Sequence, residues 1–109
     1  MPYNAEIEAR IKKIISAWKN TEHKNMFGGV CHLLNGNMCF GILRKYLILR
    51  TSNEKAQEML QKAGISSFDI TGRLMKGWLM VSPDLVETDD ELLDMLKIGT
   101  DFTSNLPAK

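Results

Sequence analysis

The sequence contains few of the residues that mark secreted or membrane proteins. Its only cysteines are Cys31 and Cys39, too few for the disulfide framework of a small extracellular domain. No segment approaches the roughly 20 apolar residues of a membrane-spanning helix, and the N-terminal sequence lacks the apolar core of a signal peptide. We therefore expect a soluble, cytoplasmic protein with reduced thiols and no membrane partner.

A large excess of charge of one sign is also missing. The chain has 14 lysine and arginine residues against 13 aspartate and glutamate residues, a formal net charge of +1. No overall field therefore attracts nucleic acid, an anionic membrane or an acidic substrate. The hydrophobic fraction of 44% and the charged fraction of 25% are typical of globular domains, and 109 residues suit one hydrophobic core. We expect residues 1–109 to form a single domain.

The first predicted helix runs from Asn4, as its N-cap, to about Trp18. Its apolar residues recur every three or four positions, a spacing that places them on one face of a helix. Those residues are Ile7, Ile11, Ile14, Ile15 and Trp18. Glu8 and Lys12, of opposite charge and four positions apart, are predicted to form a stabilising pair on this helix.

Two further helices are predicted to begin at capping boxes, in which two side chains satisfy free backbone amides of the first turn. The Thr-Ser-Asn-Glu segment at 51–54 begins a helix over about residues 52–63, which Gly64 ends in the left-handed conformation. The segment 88–91 begins a final helix over about residues 89–104.

The segment between Met26 and Thr51 is rich in apolar and β-branched residues and predicts a three-stranded antiparallel meander. Its strongest turn signal is Asn35-Gly36, because a type I′ turn needs positive φ at both central residues. Arg44-Lys45 is a weaker turn signal, and a longer loop there is an alternative. Residues 19–25 have no apolar member and predict a connecting loop.

Two shorter extended runs, at 67–70 and 77–82, predict a second hairpin after the second helix. The resulting order is α-β-β-β-α-β-β-α, which lacks the regular alternation of strand and helix typical of a parallel sheet. We therefore predict a two-layer α+β fold in which helices pack on an antiparallel sheet of about five strands.

The Asn35-Gly36 turn also predicts how the residues that resemble a catalytic or metal site are paired. A two-residue loop pairs Cys31 with Phe40 and His32 with Cys39, so the two cysteines face opposite sides of the sheet. A thiol beside an imidazole still lacks the third, orienting group of a catalytic set, and two ligands do not complete a zinc site. We therefore expect packing positions here, with no catalytic residue and no metal.

Four short segments carry a family resemblance. The most specific are Met-Phe-Gly-Gly-Val at 26–30 and Gly-Arg-Leu-Met-Lys-Gly-Trp at 72–78. The others are Asn-Gly-Asn-Met at 35–38 and Tyr-Leu-Ile-Leu-Arg at 46–50. In this order and at these spacings, they resemble the N-terminal domain of the TfoX/Sxy family.

The resemblance implies an antiparallel sheet that carries helices, in agreement with the periodicity. Named members of the family are bacterial regulators of natural competence, in which this domain precedes a separate C-terminal domain. The present chain ends at Lys109, so we expect a stand-alone relative without the second domain. The resemblance implies no catalytic residues, and the sequence predicts no cofactor.

Five residues are candidates for ligand binding. Arg73 and Lys76 lie beside Trp78 in a glycine-flanked loop, and cations next to an aromatic ring can hold a phosphate or a base. The alternative is a solvated loop with Trp78 in the core. Gly28 and Gly29 would let backbone amides approach an anion, but the segment lacks the Gly-Lys-Ser/Thr end of a phosphate loop. A bulge or tight bend is the stronger interpretation there.

These observations favour a non-enzymatic regulatory or protein-binding module. Its partner would be another protein or a second copy of the chain, bound through a sheet face or edge. The alternative is a small-molecule or phosphate-binding domain, within an enzyme or not, that uses the loop from Arg73 to Trp78. Direct nucleic-acid binding is a weaker alternative, because nothing resembles a recognition helix or an RNP aromatic motif.

Overall fold

The described part of the chain folds as a six-stranded antiparallel sheet with three α-helices. The computed structural model describes residues 5–26, 29–67 and 77–107. The strands are β1 (Thr21–Met26), β2 (Gly29–Leu34), β3 (Asn37–Leu43), β4 (Tyr46–Arg50), β5 (Ile65–Ser67) and β6 (Trp78–Val81), in the spatial order β1-β2-β3-β4-β6-β5. The helices are α1 (Ala5–Ile15), α2 (Asn53–Met59) and α3 (Asp89–Thr103), with a 3-10 helix at Pro83–Leu85. The predicted α+β class is confirmed.

The hydrophobic core lies between the sheet and the helices. Phe40 of β3 is in register with Leu49 of β4, which is in turn in register with Leu79 of β6, and all three side chains are fully buried. The helices contribute Ile7, Ile11 and Ile15 from α1, Ala56 and Met59 from α2, and Leu92, Met95 and Leu96 from α3. Burying such side chains stabilises the fold by about 25 cal/mol per Å² of apolar surface and holds the helices on the sheet.

The predicted loop at residues 19–25 is wrong. Most of it belongs to β1, which pairs with β2 along its whole length. The prediction depended on the absence of apolar residues, whereas β1 lies at one end of the strand order and its side chains from Glu22 to Asn25 are exposed. An edge strand of this kind is held by backbone hydrogen bonds to one neighbour and tolerates charged side chains on both faces.

The two predicted turns of the meander are both two residues long. Asn35 and Gly36 have φ of 54° and 82°, the positive values that a type I′ turn requires. Leu43 is in register with Tyr46, so Arg44 and Lys45 also form a tight turn, with φ of 56° at Arg44. The longer loop considered as an alternative is not formed.

The predicted register of β2 and β3 is wrong beyond the turn, because the pair contains a bulge. His32 is in register with Phe40, and Cys31 with Gly41. Cys39 has no counterpart on β2 and is the additional residue of β3. His32 and Cys39 therefore do not face each other across the ladder. A bulge leaves no reliable signature in a single sequence.

The second predicted hairpin is supported in part: β6 lies within the predicted run at 77–82 and pairs antiparallel with β5, but β5 includes only Ser67 of the predicted run at 67–70. Residues 68–76, which connect the two strands, lie outside the described residues, as does Asn4, the predicted N-cap of α1.

The predicted capping box is correct for α3 and wrong for α2, whose N-cap is one residue later. The predicted box of α3 at residues 88–91 is formed. In α2 the cap is Ser52, whose side chain accepts a hydrogen bond from the Lys55 amide. The backbone amide of Thr51, the predicted cap, instead donates to the carbonyl of Gly77 over 2.7 Å, which ties the end of β4 to the start of β6.

α3 approaches the sheet closely at Gly99. A β-carbon on this residue would lie 2.8 Å from the carbonyl oxygen of Cys39 and 3.0 Å from Cδ1 of Leu49. Leu96 and Thr103, one turn away in either direction, are fully buried in the same contact. A glycine lowers the stability of a helix by about 1 kcal/mol relative to alanine. Here only glycine lets the helix reach β3 and β4.

Replacing Gly99 by alanine should destabilise the protein, although alanine is the better helix former. The added carbon overlaps main-chain atoms that cannot move alone, so we expect the free energy of unfolding to fall by about 1–3 kcal/mol. Urea denaturation followed by circular dichroism measures this. Lys97→Ala, at an exposed position of the same helix, should change it by less than about 0.5 kcal/mol. A Gly99→Ala protein as stable as the wild type would contradict the close contact.

Candidate functional site

The structure places two of the five predicted ligand-binding residues, Trp78 and Gly29. Arg73, Lys76 and Gly28 lie outside the described residues. Trp78 begins β6, is half-buried, and is in register with Arg50 of β4.

The ring of Trp78 already has a cation beside it. The Arg50 guanidinium lies 5.4 Å from the centroid of Trp78 and 5.5 Å from that of Phe102 on α3, so it lies near two aromatic faces. Its Nη1 atom also donates to the carbonyl of Met38 over 3.3 Å. These contacts give Arg50 and Trp78 a structural role that joins β3, β4, β6 and α3. Anion binding by Arg73, Lys76 and Trp78 stays a prediction.

Gly29 lies where two strands approach each other. A β-carbon on Gly29 would overlap the carbonyl oxygen of Ile42 on β3. Met26 and Gly29 are in register, so the chain reverses direction between β1 and β2 at this point. The close approach and the reversal agree with the bend that the sequence favours. A role of Gly28 and Gly29 in anion binding stays a prediction.

The two cysteines are free, buried thiols in different surroundings. Cys39 belongs to the hydrophobic core, and its Sγ donates to the main-chain carbonyl of His32 at 3.5 Å. Burial raises the pKa of Cys39 to about 12, only partly offset by hydrogen bonds with the backbone and Thr103. Burial also raises the pKa of Cys31. Both thiols are therefore neutral at physiological pH and are poor nucleophiles.

A buried pair of ionisable side chains, Glu8 and His32, was not predicted from the sequence. The Nε2 atom of His32 lies 2.7 Å from Oε1 of Glu8, and the two side chains are 2% and 5% exposed. The Nζ atom of Lys12 lies 3.8 Å from the other carboxylate oxygen of Glu8. Because Glu8 is on α1 and His32 is on β2, the pair links the first helix to the sheet.

One signal in the sequence could have located Glu8. It precedes Ile11 by three residues and Ile15 by seven, so it lies on the apolar stripe of α1. The (i, i+4) pairing with Lys12 concealed this position, because it accounted for Glu8 by a partner on the same helix. His32 could not have been matched to it, since the two residues are far apart in the sequence.

A shallow polar pocket of about 280 Å³ lies between α1 and the 3-10 helix. It is lined by Glu6, Ile7, Arg10, Pro83, Asp84 and Glu87. Arg10 donates from Nη1 to the carbonyl of Val86 over 2.8 Å and from Nε to Asp89 over 3.1 Å. The arginine thus joins α1 to the start of α3, and its buried Nη2 atom has no hydrogen-bond partner among the described residues.

The outer edge of β1 ends the sheet on one side, and the side chains from Glu22 to Asn25 are exposed. The backbone groups of alternate residues on an antiparallel strand point to opposite sides. The Asn35 amide donates to the carbonyl of Asn20 over 2.9 Å, so Asn20 faces β2, as do Glu22 and Lys24, which follow at alternate positions. The residues whose backbone groups point outward are Thr21, His23 and Asn25.

The described residues form neither a metal-binding cluster of side chains nor a membrane-spanning helix. Within residues 5–26, 29–67 and 77–107, no three His, Cys, Asp or Glu side chains are grouped so as to hold a metal ion. No helix of the described ranges is long and apolar enough to cross a membrane.

The fold and the residues at its surface define a small two-layer α+β module whose accessible feature is a sheet edge. The family model of the TfoX N-terminal domain matches residues 13–102 of the 109-residue chain. The chain therefore belongs to the TfoX N-terminal domain family, and the resemblance seen in the sequence is confirmed. No curated protein matches the chain.

Replacing Glu8 by alanine should destabilise the protein, because it leaves the buried His32 ring without its partner. We expect the free energy of unfolding at pH 7 to fall by about 1–3 kcal/mol in urea denaturation. Glu8→Gln keeps a hydrogen-bonding group at this position and should lose less. Glu6→Ala, at an exposed position of α1, is the control and should change the value by less than about 0.5 kcal/mol. Wild-type stability of Glu8→Ala would show that the pair does not hold α1.

The raised pKa of Cys39 predicts how stability depends on alkaline pH. The thiol keeps its proton in the folded protein to about pH 12, whereas in the unfolded chain it loses it near about pH 8.5. The contribution to stability is therefore complete below about pH 8.5 and is lost as the pH rises from there towards 12. The urea midpoint should fall more between pH 8 and 10 in the wild type than in Cys39→Ala. Equal falls would contradict the buried, neutral thiol.

Proposed function

We propose that this chain is a non-enzymatic regulatory module that acts in the cytoplasm by binding another protein. Membership of the TfoX N-terminal domain family supports a module of the kind found in competence regulators. The proposal concerns recognition of a protein surface, because the described residues offer a long backbone edge rather than an accessible set of reactive side chains.

The observation that carries the proposal is the exposed edge of β1. Its six residues end the sheet on one side, and the side chains from Glu22 to Asn25 are exposed. The outward backbone groups of Thr21, His23 and Asn25 can receive an extended segment as an additional strand, a common mode of peptide and protein recognition. Three residues of the opposite edge strand, β5, are described, Ile65–Ser67.

The buried groups support this assignment, because they favour packing over chemistry. His32 contacts Glu8 and lies 5.5 Å, between ring centroids, from Phe40 in the core. At 2% exposure, its imidazole is closed to a substrate. The neutral thiols of Cys31 and Cys39 do not act as nucleophiles at physiological pH.

A proline at position 25 tests the proposal. Asn25→Pro removes an outward backbone donor and places the pyrrolidine ring on the outer edge, while the hydrogen bonds of β1 to β2 are kept. Immobilised wild-type protein should capture a specific protein from an extract of its source cells, identified by mass spectrometry. Asn25→Pro should lose it by at least about tenfold, because the added strand cannot form.

Lys62→Ala, at an exposed position outside β1, is the matched control and should capture the same protein at the wild-type level. Circular dichroism and thermal unfolding verify that Asn25→Pro is folded. Capture that is equal in the wild type and Asn25→Pro would refute the role of the β1 edge.

A further inference from the structure

We propose that the β1 edge binds the β1 edge of a second copy of this chain, antiparallel, with a two-fold axis at His23. This inference rests on the proposed function of β1 as a protein-binding edge and takes the bound protein to be a second copy of the chain, which is then the protein that the immobilised wild type captures. It follows from which backbone groups of β1 point outward and from how the charges of β1 alternate. The two-fold symmetry then limits the contact to two copies.

The outward direction of His23 follows from two independent parts of the structure. The Asn35 amide donates to the Asn20 carbonyl, so the backbone groups of Asn20 point towards β2. The backbone groups of every second residue after it on β1 point the same way. At the type I′ turn, Leu34 exchanges its hydrogen bonds with Asn37 of β3 and so cannot bond to Thr21, its counterpart on β1. Both arguments place the backbone groups of Thr21, and of the residues two and four positions later, on the open edge.

The hydrogen-bonding pattern favours one register between two copies. With His23 opposite His23 of the second copy, Thr21 lies opposite Asn25, and all three outward residues of each strand are paired. Each such pair exchanges two hydrogen bonds, which gives about six in total. A shift by two residues in either direction leaves one outward residue of each strand without a counterpart within this set.

The charges favour the same register. Glu22 of each copy then lies opposite Lys24 of the other, in pairs without backbone hydrogen bonds, where side chains approach most closely. A shift by two residues in one direction would place Glu22 opposite Glu22, and a shift in the other would place Lys24 opposite Lys24. Both are like-charge pairs, which are destabilising at directly opposed positions.

The symmetry of this contact limits it to two copies. A two-fold axis uses the same edge on both subunits and is closed. The opposite edge of the sheet, β5, takes no part in this contact. The product is a dimer with a continuous sheet of twelve strands, two copies of the six observed. Charged residues on an edge can also serve to prevent pairing, and the experiment separates these roles.

Charge exchange tests the register. The purified wild-type protein should be a dimer by light scattering and sedimentation at high protein concentration and low salt. Glu22→Lys and Lys24→Glu should each weaken dimerisation by at least about tenfold, because each places two like-charge pairs in contact. The double variant Glu22→Lys/Lys24→Glu restores opposite charges in the same register and should recover the dimer. Lys62→Glu, an exposed charge reversal outside β1, should leave dimerisation unchanged.

Hydrogen exchange provides a second readout. The amides of Thr21, His23 and Asn25 should become protected as the protein concentration rises, whereas those of Glu22 and Lys24 should be protected at every concentration by β2. A strictly monomeric wild type, or a dimer that charge exchange does not affect, would overturn the inference. If a monomer still captures a cellular protein that Asn25→Pro loses, the inference fails and the proposed function stands. If the wild type neither dimerises nor captures a protein, both the inference and the proposed function fail.

Discussion

The close packing of α3 on the centre of the sheet is the contact on which most other features depend. Gly99 lets the helix backbone touch the backbone of β3, and this sets the position of every residue that follows it. Phe102 reaches the Arg50 guanidinium, and Thr103 is buried near Cys39. After the helix, the carbonyl of Pro107 accepts a hydrogen bond from the Asn37 side chain over 2.9 Å, beside the turn of the hairpin. The absence of a side chain at Gly99 thus allows the helix position in which Phe102 contacts Arg50 and Pro107 contacts Asn37.

Much of the fold could be predicted because several of its signals are local. The Asn35-Gly36 turn and the capping box of α3 depend on residues within one turn of each other, and both are present as predicted. The apolar spacing of α1 and α3 reports directly which face is buried. β1 was missed for the opposite reason. An edge strand with exposed side chains is specified by the backbone of its neighbour, and its own side chains carry no periodic pattern.

The candidate sites depended on contacts between distant parts of the chain, and so the sequence predicted them less well. The thiol–imidazole pair expected from the hairpin is removed by one additional residue in β3. The Glu8–His32 pair that replaces it joins a helix and a strand separated by β1, so no spacing rule connects them. The sequence predicted Arg73 and Lys76 beside Trp78, and both lie outside the described residues. The cation that the described structure shows at the Trp78 ring is Arg50, from a different strand.

At the bulge of β3, the requirement for a residue in the main chain and the requirement for a particular side chain are separate, although they usually coincide at a buried position. Cys39 is additional to the ladder, because Leu33 pairs with Met38 and His32 with Phe40 on either side of it. What the residue supplies is the main-chain carbonyl that lies against Gly99 of α3. Its thiol hydrogen-bonds with the backbone and with Thr103 and otherwise fills space in the core, so another small side chain of similar volume should preserve the fold. Among relatives of this domain, the identity of the residue before Phe40 should therefore vary, whereas its loss should be accompanied by a change at the glycine of α3 that lies against its carbonyl. Main-chain position and side-chain chemistry are separate requirements at this residue.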